Sequence, residues 1–385
     1  MLLLAEELLA HGDQVDILTF DQSVARQSVS HINKAINIRL LKKEPYYLAM
    51  LRILVLHFAE IKVLLRPFIL TFKPCKAQFY IKSLQSYLNN FRPAILYSAK
   101  PHCNIVAAMA SRAADYQPKL IMMERTAISL DRNSRLNKSR WRYIAPAMRK
   151  FYPMADVILS VSKCVGEDLA NLIAPIKINQ KTIYNPIPIT TIREKMRADD
   201  GHVLSAHQDY KIVIACGRLV AQKNYPLLLR AFAIVRMDRE CKLVILGTGA
   251  LQKHIHNLAQ HLAIQSDLIM PGHIINPYPI MRQSDVFVMT SLWEGMPNAL
   301  LEALACGCKV IALDCPCGPS EILANGKYGK LLALNTDAHQ LAEVILTELE
   351  RSHDESAQLQ HLKKFSVANS SQQHIELQDQ LLSTT

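Results

Sequence analysis

After the apolar run Val286-Phe-Val-Met289 and Thr290 comes Ser291-Leu-Trp-Glu294-Gly-Met-Pro-Asn-Ala-Leu-Leu-Glu302-Ala-Leu-Ala-Cys-Gly307, followed by a second apolar run, Lys309-Val-Ile-Ala-Leu313. Short β-rich runs on either side of a helix-periodic stretch describe a β-α-β unit, whose two strands must be parallel. Pro297 suits the first turn of that helix, which puts Glu294 on the approach loop and Glu302 inside the helix. Met296 and Pro297 then lead into the amides of Asn298 and Ala299 at a helix N-terminus, where backbone N–H groups and the dipole favour phosphate. A carboxylate ahead of the helix can accept hydrogen bonds from sugar hydroxyls, and one further along can take those of a ribose. Taken singly, Glu294 equally suits a helix cap and Glu302 a polar face.

The same alternation extends in both directions. Strands are expected at Gln14–Phe20, Asn37–Leu40, Ala94–Ser98, Leu120–Met123, Val157–Val161 and Thr182–Tyr184, and then at Ile212–Cys216, Leu243–Leu246 and Leu268–Met270 before the opening pair. The chain has 385 residues, and domains usually hold about 100–200, so two are expected. The prolines of Asn185-Pro-Ile-Pro188 mark the junction. The expected domains are 1–188 and 189–365, with a helix in 366–385 packing back on the first. Ligands of open α/β sheets bind at the carboxyl ends of the strands.

Two further loops sit at such ends. Cys216-Gly-Arg-Leu-Val-Ala-Gln-Lys-Asn224 follows a strand and precedes a helix over Tyr225–Val235. Gly217 permits a tight turn, from which Arg218 and Lys223 can project as fixed cations able to hold a diphosphate and stabilise its charge as it leaves. Leu246-Gly-Thr-Gly249 precedes a helix over Leu251–Leu262, and a lone Gly-x-Gly requires only a tight turn.

Composition narrows the class. Half the residues are apolar (50%) and only 20% are charged, which excludes a disordered chain. The net charge of +11 is uneven: residues 1–190 hold 26 basic and 13 acidic side chains, and 191–385 hold 18 and 20. Within the first half, 34–82 carries ten basic residues against Glu44 and Glu60, and 132–150 carries seven with no acid. These are either solvated helix faces or an anionic membrane surface site, since the cations are interleaved with Leu, Phe, Tyr and Trp141. No nucleic-acid reading motif accompanies the charge. Leu48 to Phe72 is the most apolar region, yet Arg52, His57, Glu60, Lys62, Arg66 and Pro67 interrupt it, so it suits a helix lying on a surface rather than one crossing a bilayer. Residues 1–11 read as an amphipathic helix stopped by Gly12, not an export signal. Nine cysteines in such a chain point to a reducing compartment, and the Cys306-Gly-Cys308 and Cys315-Pro-Cys317 spacings are not those of a zinc ribbon.

In order and spacing, Gly217-Arg218 with Gln222-Lys-Asn224, Leu246-Gly-Thr-Gly249, Pro271-Gly-His273, Ser291 to Glu302 and Gly318-Pro-Ser-Glu-Ile322 resemble the family-4 retaining glycosyltransferases of the GT-B fold. The match is strongest over 210–335 and fair over 94–188, where Val161-Ser-Lys163 and Ile183-Tyr-Asn-Pro186 take part. The resemblance implies an α/β protein of two Rossmann-like, doubly wound parallel-sheet domains facing across a cleft. It implies a nucleotide-sugar donor, UDP the expected nucleotide, with Arg218 and Lys223 on the diphosphate, Glu294 on the sugar, Glu302 on the ribose, and the backbone near Gly272 and His273 on the base. The anomeric configuration would be retained without an accepted covalent nucleophile.

No two aspartates are separated by a single residue, so the Asp-x-Asp metal clamp of the other large glycosyltransferase fold is absent. No metal and no cofactor are expected beyond the donor, and the leaving-group charge falls on Arg218, Lys223 and the helix end. Lys100-Pro-His102-Cys-Asn104 and Glu124-Arg125-Thr126 resemble loops that face the acceptor, although Thr126 stands where Asn is frequent. His102, Asn104, Glu124 and Arg125 are the acceptor-side candidates. The expected acceptor is a lipid-linked or lipopolysaccharide-type glycan at the cytoplasmic membrane face. Relatives usually open with a strand and a Gly-Gly loop, whereas this sequence opens inside the following helix. The first domain is therefore expected to lack its first strand, either because the start lies upstream or because the chain is a remnant that binds nucleotide sugar without turnover.

Overall fold

The computed structural model describes residues 2–21, 33–70, 75–133, 139–198, 203–204 and 209–383. The chain divides into two compact units, one formed by Met1–Pro186 with Val367–Thr385 and the other by Ile187–Ser366.

The first unit holds two parallel sheets. β1 (Asp16–Thr19) pairs with β2 (Asn37–Leu40), and β3 (Ile95–Ala99), β4 (Lys119–Glu124), β5 (Val157–Ser160) and β6 (Gln180–Thr182) follow one another in sequence order. Asp16 ties the small sheet to its surroundings, accepting from Arg39 Nε at 2.5 Å and from the Tyr87 hydroxyl at 2.8 Å. The strand expected at Thr182–Tyr184 lies two residues earlier, because Ile183 already turns towards the Asn-Pro junction and its N–H closes on Ser160 O at 3.0 Å. The helix Pro101–Ala113 supplies the core beside Phe68, Phe151 and Tyr152 with Ile105 and Met109, all fully buried. The helix Leu2–His11 ends at Gly12 (φ +108°), whose N–H returns to Leu9 O at 3.0 Å.

The C-terminal helix Val367–Ser383 belongs to this unit. Leu377 packs with Ile121, Met123 and Leu159, and Tyr97 meets His374 Nδ1 at 3.3 Å. Burial of His374 lowers its pKa to about 4, so its ring is a neutral core group.

Leu48 to Phe72 is not one helix. The helix Tyr46–Leu56 stops at His57, which leaves helical geometry (φ −128°, ψ 34°), and is followed by a 3-10 turn, a four-residue helix Ile61–Leu64 and a π turn Leu65–Ile69. The break has a polar cause: Arg112 reaches His57 Nδ1 at 2.7 Å and both Glu60 oxygens at 2.9 and 2.7 Å, fixing these two side chains inside the unit. Phe72 lies outside the described residues. Among the described residues no helix is long and apolar enough to cross a membrane.

The second unit is a six-stranded parallel sheet in the order β12 (Lys330–Leu332), β11 (Lys309–Leu313), β10 (Val286–Met289), β7 (Lys211–Cys216), β8 (Cys241–Leu246), β9 (Leu268–Gly272). Strands buried on both faces need continuous apolar side chains, and β8, β10 and β11 are buried throughout. Sequence reading missed β12, a three-residue edge strand too short to show periodicity. From β7 the chain proceeds outward through β8 and β9, then crosses back to β10 on the other side of β7. The sheet therefore reverses direction between β7 and β10, and such a switch point is where open α/β sheets bind ligands.

Candidate donor site

Two loops leave the sheet at that switch point and are stitched together. Thr290 Oγ1 donates to Lys223 O at 2.9 Å, Leu292 N–H to Gln222 O at 2.8 Å, and Gln222 Nε2 to Trp293 O at 2.6 Å. These bonds fix the spacing of the two functional side chains, and Lys223 Nζ lies 2.6 Å from Glu294 Oε1. Both are sheltered, at 15% and 10% side-chain exposure, so the pair is not an exposed ion pair worth only about 0–1 kcal/mol. Arg218 stays exposed at the carboxyl end of β7.

Glycines shape the floor. Gly217 (φ +157°) gives its N–H to Leu246 O at 2.9 Å and accepts the Tyr225 hydroxyl at 3.0 Å. The Gly-x-Gly pair does more than turn the chain: a Cβ on Gly247 would stand 2.1 Å from Gly217 O, and one on Gly249 2.4 Å from Leu219 O. The two loops approach so closely that only glycine fits. Gly318 (φ +110°) lets the next turn close on Pro297 in the same way, where a Cβ would meet Pro297 Cδ at 2.4 Å.

The helix after Glu294 runs Asn298–Ala305, so Pro297 is its cap rather than its first residue, and its carbonyl takes the Leu300 N–H at 3.1 Å. Its extended ψ of 98° explains the shift, since the helix cannot begin until the next residue. Met296 is buried behind this turn, while Asn298 is exposed and Ala299 partly so. Glu302 lies one helical turn in and faces a hollow of about 350 Å³. Gly217, Arg218, His273 and Glu302 line that hollow together with Thr248, Ile275 and Tyr278, which sequence reading did not single out. Gly272 closes β9 behind it, its carbonyl accepting the Gly247 N–H at 2.8 Å. Burial raises the pKa of Glu302 and pushes the Tyr278 phenol up to about 12, with Glu302 adding to the latter. Ile275 is 96% exposed at the rim. Sequence carries no measure of such exposure. Lys223 and Glu294 do not line the hollow.

In the first unit, Lys100 (φ +81°) is the strained cap of a helix starting at Pro101, so the stretch Lys100–Asn104 is helix rather than loop. His102 is accordingly buried, its ring edge-on to Trp141 at 5.1 Å and tilted against Phe68 at 6.0 Å. Glu124 ends β4 in the interior, where it accepts from the Tyr152 hydroxyl and from Asn104 Nδ2, the latter at 2.8 Å. Burial lifts its pKa to about 8, and its Oε2 has no hydrogen-bond partner among the described residues. Arg125 is half-buried and reaches Asn185 Oδ1 at 3.5 Å.

Cys308 Sγ donates to Met281 O at 2.9 Å, and burial pushes the Cys306 thiol up to about 12. Among the described residues no cluster of three or more His, Cys, Asp or Glu is arranged to hold a metal ion.

Two parallel Rossmann-like units, the second with paired cations and carboxylates at its switch point, define the GT-B class. Residues 197–364 match the model of glycosyl transferases group 1, and 1–191 that of glycosyltransferase family 4. The chain has the GT-B fold and is related to these two glycosyltransferase families. The *Anabaena* protein HepE, solved in complex with UDP-glucose, superposes with a TM-score of 0.75 at 18% identity, covering 100% of this chain and 95% of that one. An N-acetylgalactosamine-N,N'-diacetylbacillosaminyl-diphospho-undecaprenol 4-alpha-N-acetylgalactosaminyltransferase of Campylobacter jejuni is 34% identical over 186 residues, 48% of this chain and 49% of that protein. A lipopolysaccharide 1,6-galactosyltransferase of Salmonella typhimurium is 28% identical over 210 residues, 52% and 55% respectively. The chain thus spans about half the length of these curated relatives.

Proposed function

We propose that the chain moves a sugar from a nucleoside diphosphate sugar, with UDP the expected nucleotide, to a glycan or lipid-linked acceptor, retaining the anomeric configuration. The observation that carries this reading is the Lys223–Glu294 pair beside the hollow lined by Arg218 and Glu302. In this reading the ribose hydroxyls bind Glu302 and the base lies against His273 and Tyr278. Arg218 and Lys223 hold the diphosphate. Glu294 releases Lys223 to the phosphates and takes a hydroxyl of the sugar. As the sugar–phosphate bond breaks, the growing negative charge falls on these two cations and on the Asn298 and Ala299 amides, a role that fixed donors fill without reorganisation. No divalent cation is assigned to the step.

Unit 1 takes the acceptor side. Arg125 is the contacting candidate, with His102, Asn104 and Glu124 behind it, and the basic stretches 34–82 and 132–150 draw the protein to the cytoplasmic face of an anionic membrane. Residues 71–74 and 134–138 of these stretches lie outside the described residues. The relatives' names, a diphospho-undecaprenol glycan and a lipopolysaccharide, support the acceptor class.

The test is nucleoside diphosphate release from UDP-sugars with membrane lipid extract, with and without EDTA, followed by NMR of the product's anomeric proton. Turnover that survives EDTA with the donor's configuration kept is the expected result. Donor binding with no release would make the chain a nucleotide-sugar-binding protein instead.

A further inference from the structure

We propose that the outer face of the helix Tyr46–Leu56, continued by Phe58, is the surface of the first unit that seats in an anionic lipid bilayer. The inference rests on the membrane-side acceptor in the functional reading and gives it a location.

Apart from Arg52 and the two tyrosine hydroxyls, the helix is apolar on all sides. Ala49, Met50 and Ile53 are buried against the unit, whereas Tyr47, Leu51, Val55 and Phe58 are 69%, 55%, 67% and 74% exposed. Tyr47, Leu51 and Val55, four residues apart, share one stripe of the helix, and Phe58 is exposed in the turn that follows it. A helix apolar around its whole circumference ordinarily lies in a core, and here only half of it is covered. Large apolar side chains clustered this way mark a contact surface rather than ordinary scatter.

The charge around the stripe identifies the occupant. The two acids of the region are both buried and both taken: Glu44 holds Arg52 at 3.0 and 3.2 Å, and Glu60 holds Arg112 at 2.7 Å with Lys150 at 3.6 Å. Among the described residues that flank the helix in sequence, 41–45 and 57–70, the exposed charges are Lys42, Lys43, Lys62 and Arg66, all positive. Beside the first turn lies a hollow of about 540 Å³ lined by Lys43, Glu44, Pro45, Tyr46 and Phe79. Eleven helical residues span about 16 Å against a hydrocarbon core of about 30 Å, so the helix lies in the interface plane. An apolar stripe with a cationic rim suits acyl chains under anionic headgroups.

The experiment is co-sedimentation of the full chain with phosphatidylglycerol–phosphatidylcholine vesicles and with phosphatidylcholine alone. Wild type is expected to bind the anionic vesicles, and the triple variant Leu51→Gln, Val55→Gln, Phe58→Gln to lose about tenfold or more in partitioning. In a separate Phe58→Trp chain the added fluorescence should shift to the blue and be quenched by acyl-brominated lipid. No binding by wild type, or no quenching at position 58, overturns the proposal. So does vesicle binding that salt abolishes but the triple variant leaves intact, which would mean adsorption by charge alone. A concentration-dependent dimer dissolved by the triple variant would assign the face to a second copy and also overturn it. Vesicle binding without sugar transfer would overturn the functional reading and leave this one standing. Transfer to a detergent-solubilised acceptor without vesicle binding would do the reverse.

Discussion

Lys223 Nζ donates to Glu294 Oε1 at 2.6 Å, joining the loop that follows β7 to the loop that follows β10. In the proposed reaction this bond is exchanged rather than kept, since Lys223 turns to the donor's phosphates and Glu294 to its sugar. Either side chain alone leaves its partner charged and half-enclosed.

Lys223→Ala and Glu294→Ala are each expected to lower kcat/KM for donor turnover by roughly 100- to 1000-fold. Because the two act as one unit, the double variant should lose far less than the product of the single losses, with a coupling of about 1–3 kcal/mol. Initial rates of nucleoside diphosphate release for the four proteins close the cycle; strict additivity would mean that the contact has no part in turnover.

Glu302→Ala should act on binding rather than chemistry. The carboxyl lines the hollow with Arg218 and His273, whereas Lys223 and Glu294 are not among its lining residues. Calorimetry with UDP is expected to show a Kd raised about tenfold to hundredfold, in the range of a lost charged hydrogen bond, while kcat at saturating donor changes little.

Gly247→Ala and Gly249→Ala are expected to destabilise the second unit by about 2–4 kcal/mol, because each new Cβ meets backbone that cannot swing aside. Gly12→Ala is the control. It shares the positive φ of Gly247 but meets nothing within 4 Å, so its cost is left-handed strain alone, about 1 kcal/mol. Thermal unfolding should separate them.

Glu124 makes a pH prediction. Its folded pKa of about 8 exceeds the ordinary carboxyl value of 4.5, so between these values the folded chain holds a proton that the unfolded chain has lost. The stabilisation is fully present below pH 4.5 and declines as pH rises towards 8. Glu124→Gln keeps a neutral side chain with an acceptor for Tyr152, and should flatten that decline. Denaturant midpoints measured from pH 5 to 8, about the span of the titration, test it; parallel curves for both proteins would mean that Glu124 is ionised in the fold.

Legibility varied with the kind of interaction. The bounds of β10 and β11 could be read to the residue because both are nearly continuous apolar runs, whereas β12 at the sheet edge could not. Arg218 and Glu302 were singled out by the resemblance of their motifs, and only the fold shows that they line one hollow with Gly217. Tyr278 and Ile275 escaped because nothing in Pro277-Tyr278 or Ile274-Ile275 separates a pocket wall from a core contact. His102 looked like a loop residue because the rigid Lys100-Pro101 step resembles a turn, yet the same proline starts a helix.

The sequence by itself determined the alternation of strand and helix, the parallel sheets that follow from it, and the loops on which the charged side chains stand. These are local properties, set by the period of apolar residues and by where glycine and proline interrupt it. The tertiary structure alone decided which charges meet. It paired Lys223 with Glu294 across 71 positions of chain, placed Glu124 in the interior beside Tyr152, and withdrew Glu44 and Glu60 from the surface, leaving Lys42, Lys43, Lys62 and Arg66 exposed in the described sequence flanking Tyr46–Leu56. Burial and partnership depend on what distant segments bring to the same place, and no local pattern records that.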